Sequence, residues 1–143
     1  MTTKITRRED WTKRLNAYVL KVHHKKFNFK TWNCIIFANG AVKAMTGADL
    51  YKKFRGTYSN EHEAAEQLRE IGSGTVYKTL RSIFGNSIPV AMAQRGDLVI
   101  IKNPYSVGIC RGINSHFVGN DGETHGIIEV GTLTADYAFR VGR

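Results

Sequence analysis

Two cysteines, two prolines and no long apolar run set the first limits on this chain of 143 residues. Cys34 and Cys110, with 75 residues between them, make neither a metal-ligand spacing nor a disulfide framework, so both read as reduced thiols. No cofactor or metal is expected. No stretch approaches the roughly 18 apolar residues of a membrane span, and the basic N-terminus is not followed by the apolar run of about 7–15 residues that makes a secretory signal. No membrane span is therefore expected, and the protein is expected to be made in a cytoplasm. Internal repeats and low-complexity segments are also missing. With 42% hydrophobic and 10% aromatic residues, the composition is that of a folded chain. Its length suits one domain that closes a core without metals or disulfides.

Acidic residues are scarce too: 12 stand against 21 Lys and Arg, a formal net charge of +9. The imbalance is local. Residues 1–30 hold nine Lys or Arg against Glu9 and Asp10, so seven of the nine excess charges belong to one end. Such a field attracts nucleic acid, an anionic envelope or an acidic neighbouring subunit, and a solvated helix face explains it equally well. Tyr18, Phe27, Phe29 and Trp32 lie close by and could stack on bases, but they fit a helix core and a helix entry as well. Nucleic acid is the least favoured of these partners.

Across residues 7–24, Trp11, Leu15, Tyr18, Val19 and Val22 recur at helical spacing, with Lys13, Arg14 and Lys21 on the other face. A second helix is predicted from Thr31 or Trp32 through Ile35, Ile36, Val42 and Met45 to Gly47, a natural C-terminal glycine. Gly40 inside it costs about 1 kcal/mol relative to alanine, which points to close packing or to a merely tolerated glycine. Asn60 with Glu63 three positions on opens a third helix that Gly72 ends, and a fourth runs from Thr75 to Phe84 and closes at Gly85. After Pro89 the texture changes to short β-branched and aromatic runs: 97–102, 107–113, 116–118, 126–130 and 137–141. Arg95-Gly96-Asp97 reads as a turn opening the first of these, and Asn120-Asp121-Gly122 as a hairpin turn. Helices first and consecutive strands second predict a single α+β domain over 1–143, with a basic N-terminal helix in 1–30, a helical part in 31–88 and an antiparallel sheet in 89–143.

Cys34 falls in the first turn of its predicted helix, where free backbone N–H groups and the helix dipole favour a thiolate. A cysteine nucleophile also needs a histidine base and a group to orient it. His23 and His24 end the basic helix and His62 opens a capped one, so all three read as surface residues. His116 and His125, in the strand-rich half, are the candidates that could face Cys34. The alternative for Cys34 is a small core residue. Cys110, inside an apolar strand, reads as structural.

Trp11…Leu15, Phe29-x-x-Trp32-Asn33-Cys34, Met45-Thr46-Gly47-Ala48-Asp49, Arg55-Gly56-x-Tyr58, Ala93-Gln94-Arg95-Gly96-Asp97 and Val107-Gly108-Ile109-Cys110-x-Gly112 together resemble a small protein family encoded in bacteriophage tail gene clusters and without an assigned function. That family is similar in turn to the NlpC-type peptidoglycan endopeptidases, papain-like α+β domains in which a helix-start cysteine faces an antiparallel sheet. The resemblance implies a papain-like fold with Cys34 at the nucleophile position. Gly96-Asp97-Leu98 and Val107-Gly108-Ile109-Cys110 match the strands of those enzymes, but Ser106 stands at the base histidine and Gly119 at the orienting residue. Asn33 replaces the usual aspartate.

Serine cannot take a proton from a thiol near neutral pH, so the missing imidazole should cost the ~10²–10⁴-fold that general-base catalysis contributes. What the resemblance implies is a non-catalytic component of a phage tail tip or baseplate in the virion, a vestigial Cys34, other tail proteins as partners and possible contact with the bacterial cell wall. Arg7, Arg8, Lys13 and Arg14 are expected at the docking contact. The rival is an active cysteine hydrolase that cuts peptidoglycan during DNA entry, with His116, reached by a shifted register, or His125 as base.

Overall fold

A computed structural model describes residues 5–102, 105–119 and 126–142. It is an α+β fold: four α-helices followed by a five-stranded antiparallel sheet. The helices are α1 (Trp11–Val22), α2 (Cys34–Thr46), α3 (Glu61–Glu70) and α4 (Val76–Phe84), and the strands β1 (Leu98–Ile101), β2 (Ser106–Cys110), β3 (Asn114–Val118), β4 (Ile127–Gly131) and β5 (Tyr137–Phe139). In space the strands run β4-β3-β2-β1-β5. Among the described residues no helix is long and apolar enough to cross a membrane.

The period-two alternation of the strands gives the sheet two faces. Leu98, Ile100, Val107, Ile109 and Phe139 point to α1 and α2 and join Leu15, Val19, Phe37, Val42 and Met45 in the main core. Val99, Cys110, Phe117 and Ala138 point the other way into a smaller cluster, which Ala135, Val90 and Ala93 help to cover. Helix α2 is the axis of the molecule. Its Phe37, Ala38, Ala41, Val42 and Met45 are all buried between α1 and the sheet.

Gly40 explains how closely α1 and α2 approach. A Cβ there would run into the Tyr18 ring and hydroxyl, and that hydroxyl donates to the Phe37 carbonyl at 2.9 Å. Gly40→Ala should therefore lower unfolding free energy by about 1–3 kcal/mol, the usual cost of overpacking. A denaturant midpoint checks it, and an unchanged midpoint would show that Tyr18 swings aside freely.

The helix ends depart from the periodicity in instructive ways. Among the described residues of the basic segment 1–30 only Trp11–Val22 is α-helical, because Arg7 and Arg8 before it are held elsewhere: the Arg8 N–H donates to the Met45 carbonyl, and Arg7 reaches across to the sheet. Helix α2 starts at Cys34, later than the apolar pattern suggests. Asn28 and Trp32 form a bridge, the Asn28 side chain accepts from the Lys30 and Thr31 N–H groups, and Asn33 then caps the helix. Asn60 and Thr75 cap α3 and α4 by accepting from the Glu63 and Lys78 N–H groups. Strand β2 stops at Cys110, since Arg111 to Ile113 form the turn into β3, with Gly112 at φ 117°. The turn at Asn120-Asp121-Gly122 lies outside the described residues.

Asp97 ties the two halves of the chain together. It is fully buried, and its carboxylate accepts from Arg7 Nη2 at 3.0 Å, from the Gln94 N–H at 2.9 Å and from the Val141 N–H at 3.2 Å, with Arg140 Nε 3.5 Å away. Arg7 also donates through Nε to the Val141 carbonyl and through Nη1 to the Arg95 carbonyl. The Arg95-Gly96-Asp97 turn is thus the place where the N-terminal segment, the first strand and the C-terminal segment meet.

Candidate functional site

Cys34 is the first residue of α2, and Asn33 before it is the cap. Asn33 Oδ1 accepts from the Ile35 and Ile36 N–H groups at 3.0 Å each, and its amide nitrogen donates to the Phe29 carbonyl at 2.7 Å and to the Tyr58 hydroxyl at 2.8 Å. The Tyr58 hydroxyl bonds in turn to that of Tyr51. An aspartate could cap this helix but could not donate to the Phe29 carbonyl, so the amide suits its surroundings.

The Cys34 thiol faces the start of β2. Burial pushes it above the ordinary cysteine range, and the Val107 N–H, the Ser106 hydroxyl and the backbone N–H groups of Cys34 and Ile35 offset that only in part. Helix-start placement suggested a stabilised thiolate. Desolvation outweighs it, because removing a charged sulfur from water costs more than a few partial charges return.

The imidazoles lie elsewhere. His116 sits on β3 opposite Ile109, and its Nε2 pairs with Glu129 Oε1 of β4 at 3.1 Å. Ile109 is two residues beyond Val107, or roughly 7 Å along the strand. Among the described residues the His116 Nδ1 is buried without a hydrogen-bond partner. His62 is exposed and pairs with Glu66 at 2.8 Å, while His23 and His24 are exposed at the end of α1. His125 lies outside the described residues. Cys110 is buried, its sulfur 3.5 Å from the Gly112 carbonyl oxygen.

A cleft of about 340 Å³ opens beside Cys34, between α2, α3, α4 and the start of β2. Helices α3 and α4 contain no fully buried residue, and their apolar side chains Ala64, Leu68, Val76 and Leu80 form one wall of it. Sequence reasoning missed this wall. The helical spacing of Ala64 and Leu68 was visible, but nothing in it said that they face a cleft rather than a filled core. The polar ties at the other end were partly visible in the Asp49 and Arg55-Gly56-x-Tyr58 motifs: Asp49 accepts from Asn39 at 3.0 Å and pairs with Arg55 at 3.2 Å, which fixes the segment that delivers Tyr51 and Tyr58 to Asn33.

The basic candidates divide. Arg8, Lys13 and Arg14 are exposed, Arg14 paired with Asp10 at 2.8 Å, whereas Arg7 is turned inward to Asp97. Among the described residues no three His, Cys, Asp or Glu side chains gather closely enough to hold a metal ion.

A capped helix-start thiol set against the first strands of an antiparallel sheet, with an open apolar cleft at its side, defines an α+β domain whose one reactive group lacks a nearby base among the described residues. The chain belongs to the DUF6950 family, a domain of unknown function, whose model matches residues 6–141. No curated protein matches it.

Proposed function

We propose that the protein is a non-catalytic component of a bacteriophage tail, a papain-like domain of the NlpC type kept for assembly at the tail tip or baseplate. The observation that carries the loss of catalysis is Ser106, whose hydroxyl stands beside the Cys34 sulfur where the related peptidases carry an imidazole. The chemistry of the cleft agrees. Among the described residues its lining holds one acidic side chain, Glu61, and no lysine, arginine or histidine to pair with the carboxylates of a peptidoglycan stem. The assignment to a tail rests on the resemblance of the sequence motifs to the tail-cluster family.

In this reading the exposed cations of α1 and its entry dock on an acidic face of a neighbouring tail protein, where charge complementarity sets orientation and association rate. Complementation of a phage lacking the gene tests both parts. Cys34→Ala should restore infectious particles fully. Reversing Arg8, Lys13 and Arg14 to glutamate should abolish incorporation into tails, with the soluble variant still folded. Arg7 is left out because its reversal would break the buried pair with Asp97 and confuse docking with stability. Particles that contain Cys34→Ala but no longer infect would favour the hydrolase, and normal incorporation of the reversed variant would remove the docking surface.

A further inference from the structure

The cleft beside Cys34 has two chemically different ends. At one end Asn33, Tyr58 and Tyr51 form a hydrogen-bonded chain next to the Cys34 thiol and the Ser106 hydroxyl, all of them uncharged groups. The Phe54 ring stacks on Tyr51 at 6.4 Å, and beyond it Val42, Leu50, Leu68, Val76, Leu80 and Phe84 supply hydrocarbon, with the nearby Thr79 hydroxyl donating to the Thr75 carbonyl and the Asn39 amide to Asp49. Both Tyr51 and Tyr58 are buried, so the polar end is fixed in place rather than waving at the surface. A pocket of this size, mostly apolar with a few convergent polar groups, has the general form of a small-molecule site.

We propose that the cleft binds a neutral single-chain amphiphile: an uncharged alkyl or acyl chain of about ten carbons, since about 340 Å³ holds roughly eleven groups of ~30 Å³ each, with a hydroxyl or carbonyl head at the Cys34, Ser106 and Tyr58 end. Length follows from the volume, and the uncharged head from the lining. A carboxylate head would meet no cation there and would lie in the same cleft as Glu61, while an ammonium head would lose its water for a single rim carboxylate. The hydroxyls and the thiol can both give and accept hydrogen bonds, which suits an alcohol, an ester or an amide. The tail would replace water along α3 and α4, whose apolar side chains Ala64, Leu68, Val76 and Leu80 are only partly buried in the protein itself. The proposal uses the site described above, but it depends neither on the tail assignment nor on the thiol as a nucleophile.

Calorimetric titration of the full chain with hexan-1-ol, octan-1-ol and decan-1-ol tests it. Each added methylene buried should tighten binding by roughly three- to fourfold until the cleft is filled. Decan-1-ol should also slow alkylation of Cys34 by N-ethylmaleimide at alkaline pH, and decanoate should bind more weakly than the alcohol. In Cys34→Ala binding should weaken only by the one head-group contact and keep its chain-length dependence, which separates the ligand site from thiol chemistry, and it should fall sharply in Leu68→Lys. The alcohol series needs no variant, so a poorly folded Leu68→Lys would leave the answer to the unmodified protein. No chain-length dependence in the unmodified protein or in Cys34→Ala, no protection of Cys34, or decanoate bound as tightly as decan-1-ol would each overturn the proposal.

Discussion

Replacing Asp97 with alanine should remove about 3–5 kcal/mol of the unfolding free energy. The carboxylate is fully buried and holds together three parts of the chain: Arg7 near the N-terminus, the Gln94 N–H before β1 and the Val141 N–H after β5. Alanine removes the acceptor and takes away the carboxylate that pairs with the mostly enclosed Arg7 guanidinium. Breaking a buried pair from one side costs about 3–5 kcal/mol. Total stability for a domain of this kind is only about 5–15 kcal/mol, so the loss is a substantial fraction of what is available. Asp97→Asn should do less harm, since its amide oxygen can still accept from one of the two backbone N–H groups, which bond to different carboxylate oxygens, while the other N–H and the pairing with Arg7 and Arg140 suffer. Denaturant midpoints of the two variants check the order. Hydrogen exchange at the Arg8 N–H, which donates to the Met45 carbonyl, should accelerate in both as the N-terminal segment comes loose. Equal midpoints for wild type and Asp97→Ala would mean that the three segments hold without their shared carboxylate.

Arg7 also shows where sequence reasoning stops. As one of nine cations in the first thirty residues it is indistinguishable from Arg8, Lys13 and Arg14, and all four read as a surface. Its partner lies 90 positions away, and only the closed sheet brings the two together. The local rules did better where the determinants are local. Asn60, Thr75, Gly47 and Gly85 mark helix ends through side-chain caps or glycine conformations set within a few residues. The start of α2 was harder, because the apolar pattern continues back to Trp32 while the bridge of Trp32 to Asn28 takes that residue out of the helix. Short turns between consecutive β-rich runs made the antiparallel α+β class legible, but not the place of β5 beside β1 rather than β4. The candidate site was less so. Cys34 and its capped position come from one segment, but the cleft takes walls from α2, α3, α4 and β2, and the Asn33, Tyr58 and Tyr51 chain joins residues up to 25 apart. The fate of the thiol was the least legible of all. Helix-start placement argues for a thiolate and burial argues against it, and only the packed structure says how much water the sulfur loses.

Ser106→His should make Cys34 reactive. In the unmodified protein iodoacetamide should alkylate Cys34 slowly at neutral pH, with a rate that climbs with pH and levels off only above the ~8.5 of a free cysteine. The sign follows from the cause: the thiolate is the reacting form, burial disfavours it, and so the reactive fraction appears later on the pH axis than it would in water. Cys110, completely buried, should stay unmodified throughout and serves as the internal reference. An imidazole in place of the Ser106 hydroxyl would sit against the same sulfur. Its protonated form would pair with the thiolate, and its neutral form would accept the proton, so a new reactive limb should appear near the ~6.5 at which histidine titrates. The gain at neutral pH should reach roughly 10²-fold, the lower end of what general-base assistance contributes. His116→Ala should leave both profiles unchanged, because His116 is engaged with Glu129 on β4. Two outcomes would reverse these conclusions. Fast, pH-independent alkylation of Cys34 in the unmodified protein would mean that a base already serves it, and the non-catalytic proposal would fall. A Ser106→His variant that folds but gains nothing would mean that residue 106 does not present its side chain to the sulfur, and with it would go the papain-like geometry on which the comparison of Ser106 with a catalytic histidine depends.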